Sequence, residues 1–200
     1  MSVNCNTLFK LSLESLRDKK RLAGNAGLAL LGATGDTYKA MELAEHGDGA
    51  ASAGVYVASA EAKLRNASDL LGEVVSVLVS GSLSPDAITW YQGLDYDRLY
   101  RAGVDHGVLP QNVNIWAEFA ELMVREGPLS VTEAFRARVA HAAELMTQWL
   151  VSMGGADSVT RLARLTAAVT DLAVYARFVG YVNTVEPLDK EWLRPVTATG

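Results

Sequence analysis

Histidine, arginine and paired carboxylates are the side chains here whose type and spacing could do chemistry, and they are few. The histidines are His46, His106 and His141. No two stand at the i,i+4 spacing by which one helix face offers two imidazoles to a metal ion. His141 with Glu144, and Glu118 with Glu121, are i,i+3 neighbours. Carboxylate-bridged di-iron bundles use two inward Glu-x-x-His motifs, and neither pair runs in that order, so no metal ligand is assigned. Gly32-Ala33-Thr34-Gly35 lacks both the Lys-Ser/Thr of a phosphate loop and the glycine spacing of a dinucleotide fold. The single cysteine, Cys5, excludes a disulfide within the chain and a cysteine zinc site, and no base accompanies it in sequence. No cofactor is implied.

Arg136-Ala-Arg-Val-Ala-His141 is the run that combines a phosphate-binding cation with a side chain able to move protons near neutrality. It resembles the Arg-x4-6-His signature of HEPN ribonuclease domains, and the resemblance implies that the two residues cleave RNA at a dimer interface. It covers six residues, and Ala137 stands where that family carries a polar residue. Five residues turn a helix by about 140°, so Arg136 and His141 fall on different faces, whereas Arg138 and His141 share one. A second copy, Arg101-Ala-Gly-Val-Asp-His106 with Ala102 after its arginine, shows how readily the spacing arises in this chain. His141, Arg136, Arg138 and Glu144 are thus candidate acid, base and phosphate contacts of the alternative function, a small ribonuclease or nucleotide hydrolase.

The preferred functional surface is the segment 90–106. It places Trp90, Tyr91, Tyr96 and Tyr100 among Arg98, Arg101 and His106. Tyr, Trp and Arg dominate interface hot spots, because they offer rigid contact area with a polar end. The competing structural role is an aromatic cap on one end of a bundle, with the charges facing water. No nucleophile, base and oxyanion donor can be assembled from the rest of the chain, so the favoured function is a non-catalytic module that binds a protein partner.

The elements that must position these residues are helices. The clearest has a seam Leu162, Leu165, Val169, Leu172, Ala176, Val179, spaced 3, 4, 3, 4, 3 and opened by Asp157 or Ser158. Val174, Tyr175, Phe178, Tyr181 and Val182 widen its apolar surface, so it is expected to be central or to meet a partner, with self-association through this last hairpin as one outcome. The helix before it carries Phe135, Val139, Ala142, Met146, Trp149 and Met153, begins at the capping box Ser130-Val131-Thr132-Glu133 and ends at Gly154-Gly155. These two form an antiparallel αα-hairpin. Upstream lies a helix from Asn112 to Glu126, stopped by Pro128, with Trp116, Ala120 and Met123 on one face and an i,i+4 pair Glu121–Arg125. Another bears Glu61, Arg65, Asp69 and Glu73 outside and Leu64, Leu71, Val75 and Leu78 inside, and a short one starts at Ser84-Pro85-Asp86. Thr7 to Leu31 reads as helix. Seven glycines from Gly24 to Gly54 interrupt the helical pattern of that region, with a break near His46 to Gly49. The expected fold is all-α, a multi-helix bundle over 1–184 followed by an extended tail, 185–200, anchored through Trp192.

Length and composition fit one such domain. Two hundred residues can bury a core without staples. A net charge of -5 disfavours a protein that grips nucleic acid through its phosphates. Lys19, Lys20 and Arg21 form the basic cluster near the N-terminus. No leader pattern stands at the start and the apolar runs are short, so a cytoplasmic protein without a membrane span is expected. Twelve arginines against six lysines, with abundant Ala, Gly and Val, suit a GC-rich bacterial or phage genome.

Overall fold

Four glycines in twelve residues, Gly24, Gly27, Gly32 and Gly35, would each cost a helix about 1 kcal/mol relative to alanine, yet one helix runs through all of them. The computed structural model describes residues 5–46, 49–80, 89, 91–153 and 155–184, with the side chains of 5–21, 23, 77, 80, 183 and 184 excepted. The described residues form α1 (Cys5–Glu45), α2 (Gly49–Ser80), α3 (Tyr96–Asp105), α4 (Val113–Val151) and α5 (Ser158–Thr184). The break expected near His46 to Gly49 is where α1 gives way to α2. The short helix at Ser84, Trp90 and the tail 185–200 with Trp192 lie outside the described residues.

Packing explains the long first helix. Ala26, Leu30, Ala33, Thr37 and Ala40 of α1 face Ala53, Val57, Ala60, Leu64, Ala67 and Leu71 of α2, and none is more than 1% exposed. Both seams alternate 4 and 3, and their small side chains let the two axes approach closely. This is the most extensive helix contact of the fold, so burial overrides local propensity. Thr37 satisfies its buried hydroxyl by donating to the Thr34 carbonyl at 2.9 Å. Gly32 leaves room for the Lys63 chain, which crosses α1 to reach Asp36 at 2.6 Å.

The helices form an antiparallel ring. Lys63 pairs with Asp36 between α1 and α2. Arg136 lies over Gly72 and Met153 against Gly54, which joins α4 to α2 in opposite directions. Phe135 packs on Tyr175 and Trp149 Nε1–H donates to the Ser158 carbonyl at 2.8 Å, so α4 and α5 run antiparallel as expected. Gly27 meets Ala176, closing the ring between α1 and α5. The expected seam of α5 is buried throughout, from Leu162 at 0% to Leu165 at 7% exposure. That helix is long and apolar enough to cross a membrane by length and composition, but 56% of its most apolar window is buried among the other helices.

Two boundaries and one further element differ from the sequence expectation. The second rod of α4 starts at Pro128, not at the Ser130 capping box: Thr132 Oγ1 already donates to the Pro128 carbonyl at 2.7 Å, one helical turn back. It ends at Val151 with Ser152 as C-cap, which leaves Met153 beyond the helix and 43% exposed. Helix α3 has no counterpart in the sequence expectation; Asp95 opens it by accepting from the Arg98 N–H at 3.0 Å. It docks on α5, where Tyr181 donates to the Leu99 carbonyl at 3.0 Å. Gly103 keeps this contact close: a Cβ there would lie 2.6 Å from Leu109 Cδ1 and 3.2 Å from Tyr181 Cε1, so the Leu109 side chain would have to shift.

Candidate functional site

Gly127 and Pro128 divide α4 into two rods. Gly127 has φ 80° and ψ 178°, a conformation open only to glycine, and Pro128 lacks the N–H that a helix start leaves unpaired. The first rod is opened by Asn112, whose side chain accepts from the Ile115 N–H at 3.2 Å. The bend turns this rod back over the second, so that Glu118 hydrogen-bonds Arg138.

Three helix segments thereby surround a cleft of about 300 Å³. The first rod contributes Ile115 and Glu118, the second Arg138, His141, Ala142 and Leu145, and α5 Ala168, Asp171, Leu172 and Tyr175. A second cleft of about 220 Å³ shares Leu145 and Ala168 and continues toward Gln148, Trp149, Arg161, Arg164 and Leu165. The two make one groove along the α4–α5 seam. Its floor is aliphatic and aromatic. Its rim carries Glu118, Arg138, His141 and Asp171 at one end, and Gln148, Arg161 and Arg164 at the other.

The charged groups are arranged for recognition. The Arg138 guanidinium lies 5.7 Å from the Tyr175 ring centre, a cation–π contact, while its bond to Glu118 raises its pKa further above the ordinary range. Burial pushes the Tyr175 hydroxyl up to about 12. Both shifts move away from neutrality, opposite to what a general acid or base requires. His141 Nδ1 stands 3.8 Å from Glu144 Oε2, beyond hydrogen-bond reach, and both side chains are about two-thirds exposed, 68% and 67%. Arg138 and His141 share the groove, as their helical spacing requires. Arg136 points to the other side and covers Gly72 of α2. Among the described residues no group of three or more His, Cys, Asp or Glu side chains is placed to hold a metal.

The aromatic segment turns inward. Tyr91 and Tyr96 are 4% and 5% exposed, and Tyr96 donates to the Tyr91 carbonyl at 2.6 Å. Tyr100 is half-buried and stacks on Trp116 at 5.2 Å between ring centres. Trp116 meets Phe178 edge-on at 5.1 Å, and Phe119 meets Tyr175 at 5.5 Å. These rings fasten α3 and the first rod of α4 to α5. Arg98, Arg101 and His106 remain exposed.

Sequence reasoning did not single out Ile115, Leu145, Ala168 or Leu172 as a surface. The signal for it was the apolar width of α5, broader than one stripe. No protein-family model, curated protein or solved structure matches the chain.

Proposed function

We propose that this chain is a non-catalytic helical interaction module that binds a protein partner by accepting an amphipathic segment in the α4–α5 groove. The observation that carries this reading is the continuity of two apolar clefts through Leu145 and Ala168, open to solvent and edged by charge. Apolar anchors at i, i+3, i+4 and i+7 of a partner helix fit such a floor, and rim charges then select register and partner. The exposed Arg98, Arg101 and His106 offer a further contact zone on α3 and its C-cap.

The test is affinity purification from the native host with the full chain as bait, followed by mass spectrometry. A specific partner is expected with the parent and is expected to disappear with Ala168→Glu, which puts a charge on the floor of both clefts while leaving the circular dichroism spectrum unchanged. Retention of the same partner by that variant places recognition elsewhere.

The second reading, a HEPN-like ribonuclease or nucleotide hydrolase, draws support from Arg138 and His141 lining one cleft beside Glu118 and Asp171. It requires metal-independent RNA cleavage that vanishes in His141→Ala. A purified parent without that activity, or a variant as active as the parent, removes it. The separation of Arg136 from His141 and the lack of a hydrogen-bonded base on the imidazole favour the binding module.

A further inference from the structure

The two ends of the α4–α5 groove differ in charge. At the end marked by Tyr175, Glu118 and Arg138 pair with each other and Asp171 adds an acid, so this end has no excess of positive charge. At the other end stand Arg161 and Arg164, and no carboxylate is among the residues that line it. Arg161 is held by neutral acceptors: its Nη1 donates to Ser152 Oγ at 2.8 Å and its Nη2 to the Ser152 carbonyl at 3.4 Å. These bonds fix the guanidinium and leave its charge unmatched, and its buried Nε–H has no partner among the described residues. Asp157, one turn earlier, offers Arg161 only its backbone carbonyl, which accepts from the Arg161 backbone N–H at 2.9 Å. Arg164 is exposed and, among the described residues, its side chain forms no ion pair.

We infer that the segment accepted by the groove is an amphipathic helix with glutamate or aspartate at the end lying beside Arg161 and Arg164; this rests on the docking function proposed above. A carboxylate supplies the charge that this end lacks, and its two oxygens match the guanidinium fork. The apolar floor of Leu145, Leu165 and Ala168 displaces water beside the arginines, which strengthens a pairing at its edge. Tyr175 follows Arg161 by fourteen residues on α5, about 21 Å of helix, so a partner of about four turns spans both ends. A nucleic acid would also neutralise two arginines, but it brings no aliphatic side chains to the floor, and a net charge of -5 repels a polyanion.

Peptide display against the full chain tests it, with a library of helical peptides of about four turns. Leucine is fixed at i, i+3, i+4 and i+7, and Glu, Lys or Ala varies in the first and last turns. Peptides recovered by the parent are expected to favour Glu over Lys in one terminal turn by about tenfold. Arg164→Glu, with the parent's circular dichroism spectrum, is expected to reverse that preference, Arg164→Ala to abolish it, and Ala168→Glu to recover no peptide. Peptides that are lost in Ala168→Glu but show no charge preference, or a Glu preference that Arg164→Glu leaves unchanged, overturn the acidic partner and leave the docking function standing. Recovery of no peptide by the parent overturns both. Fluorescein-labelled single-stranded RNA that binds the parent and not Arg164→Glu assigns the arginines to phosphate. A dimer in sedimentation equilibrium that Ala168→Glu dissolves assigns the floor to a second copy. Either result also overturns the acidic partner.

Discussion

Tyr96 illustrates how one residue type serves two ends. In the sequence it belongs to an aromatic and basic segment with the composition of a hot spot. In the fold its ring lies against Trp116 at 6.1 Å and Phe119 at 6.3 Å, and its hydroxyl is bound to the Tyr91 carbonyl. Tyr96→Ala is therefore expected to cost about 3–5 kcal/mol of stability, the usual penalty for emptying a buried aromatic site. Chemical denaturation checks it, and a loss below about 1 kcal/mol would contradict the burial. Arg138 shows the converse. Its pair with Glu118 is about half exposed, 49% and 45%, so the pair adds little stability and instead fixes a cation over Tyr175 at the groove edge.

At the scale of elements, the bend in α4 makes the groove. A straight helix through Gly127 would carry Ile115 and Glu118 away from α5. Gly127→Ala is expected to destabilise the protein by about 1–3 kcal/mol, because alanine at φ 80° is strained, and to weaken partner binding as the first rod shifts. Thermal unfolding gives the first effect and the affinity measurement the second. A variant with the parent's melting temperature would mean the rod can be held without the glycine conformation. Pro128 was readable as a helix stop. That it is also the first residue of the next rod was not, because the capping box at Ser130 offered an equally good local start and only the backbone angle at Gly127 chose between them.

For the whole molecule, the buried tyrosines set the alkaline limit. Burial raises Tyr91 and Tyr175 to about 12 from an ordinary 10.0, and moves Tyr96 and Tyr181 in the same direction. Between those values the unfolded chain gives up its phenolic protons first. The stability these groups contribute is therefore complete below about pH 10 and is lost as the pH rises toward about 12. The denaturation midpoint should fall across that window and fall less steeply in Tyr175→Phe, whereas a flat profile through it would rule out this linkage.

The periodic seams of α4 and α5, the helix break near His46 and the division of Arg138 from Arg136 around His141 were all legible in the sequence. Each follows from the 3.6-residue turn, a property of neighbouring residues. The continuity of α1 through its glycines was not legible, because its stabilisation comes from α2, on the far side of a chain reversal. Nor was the inward turn of Tyr91 and Tyr96, since periodicity states that a side is apolar and not what covers it. The groove belongs wholly to tertiary structure. Residues 115–118, 138–145 and 168–175 come together through one backbone angle at Gly127 and the packing of three segments, and no local pattern encodes that meeting.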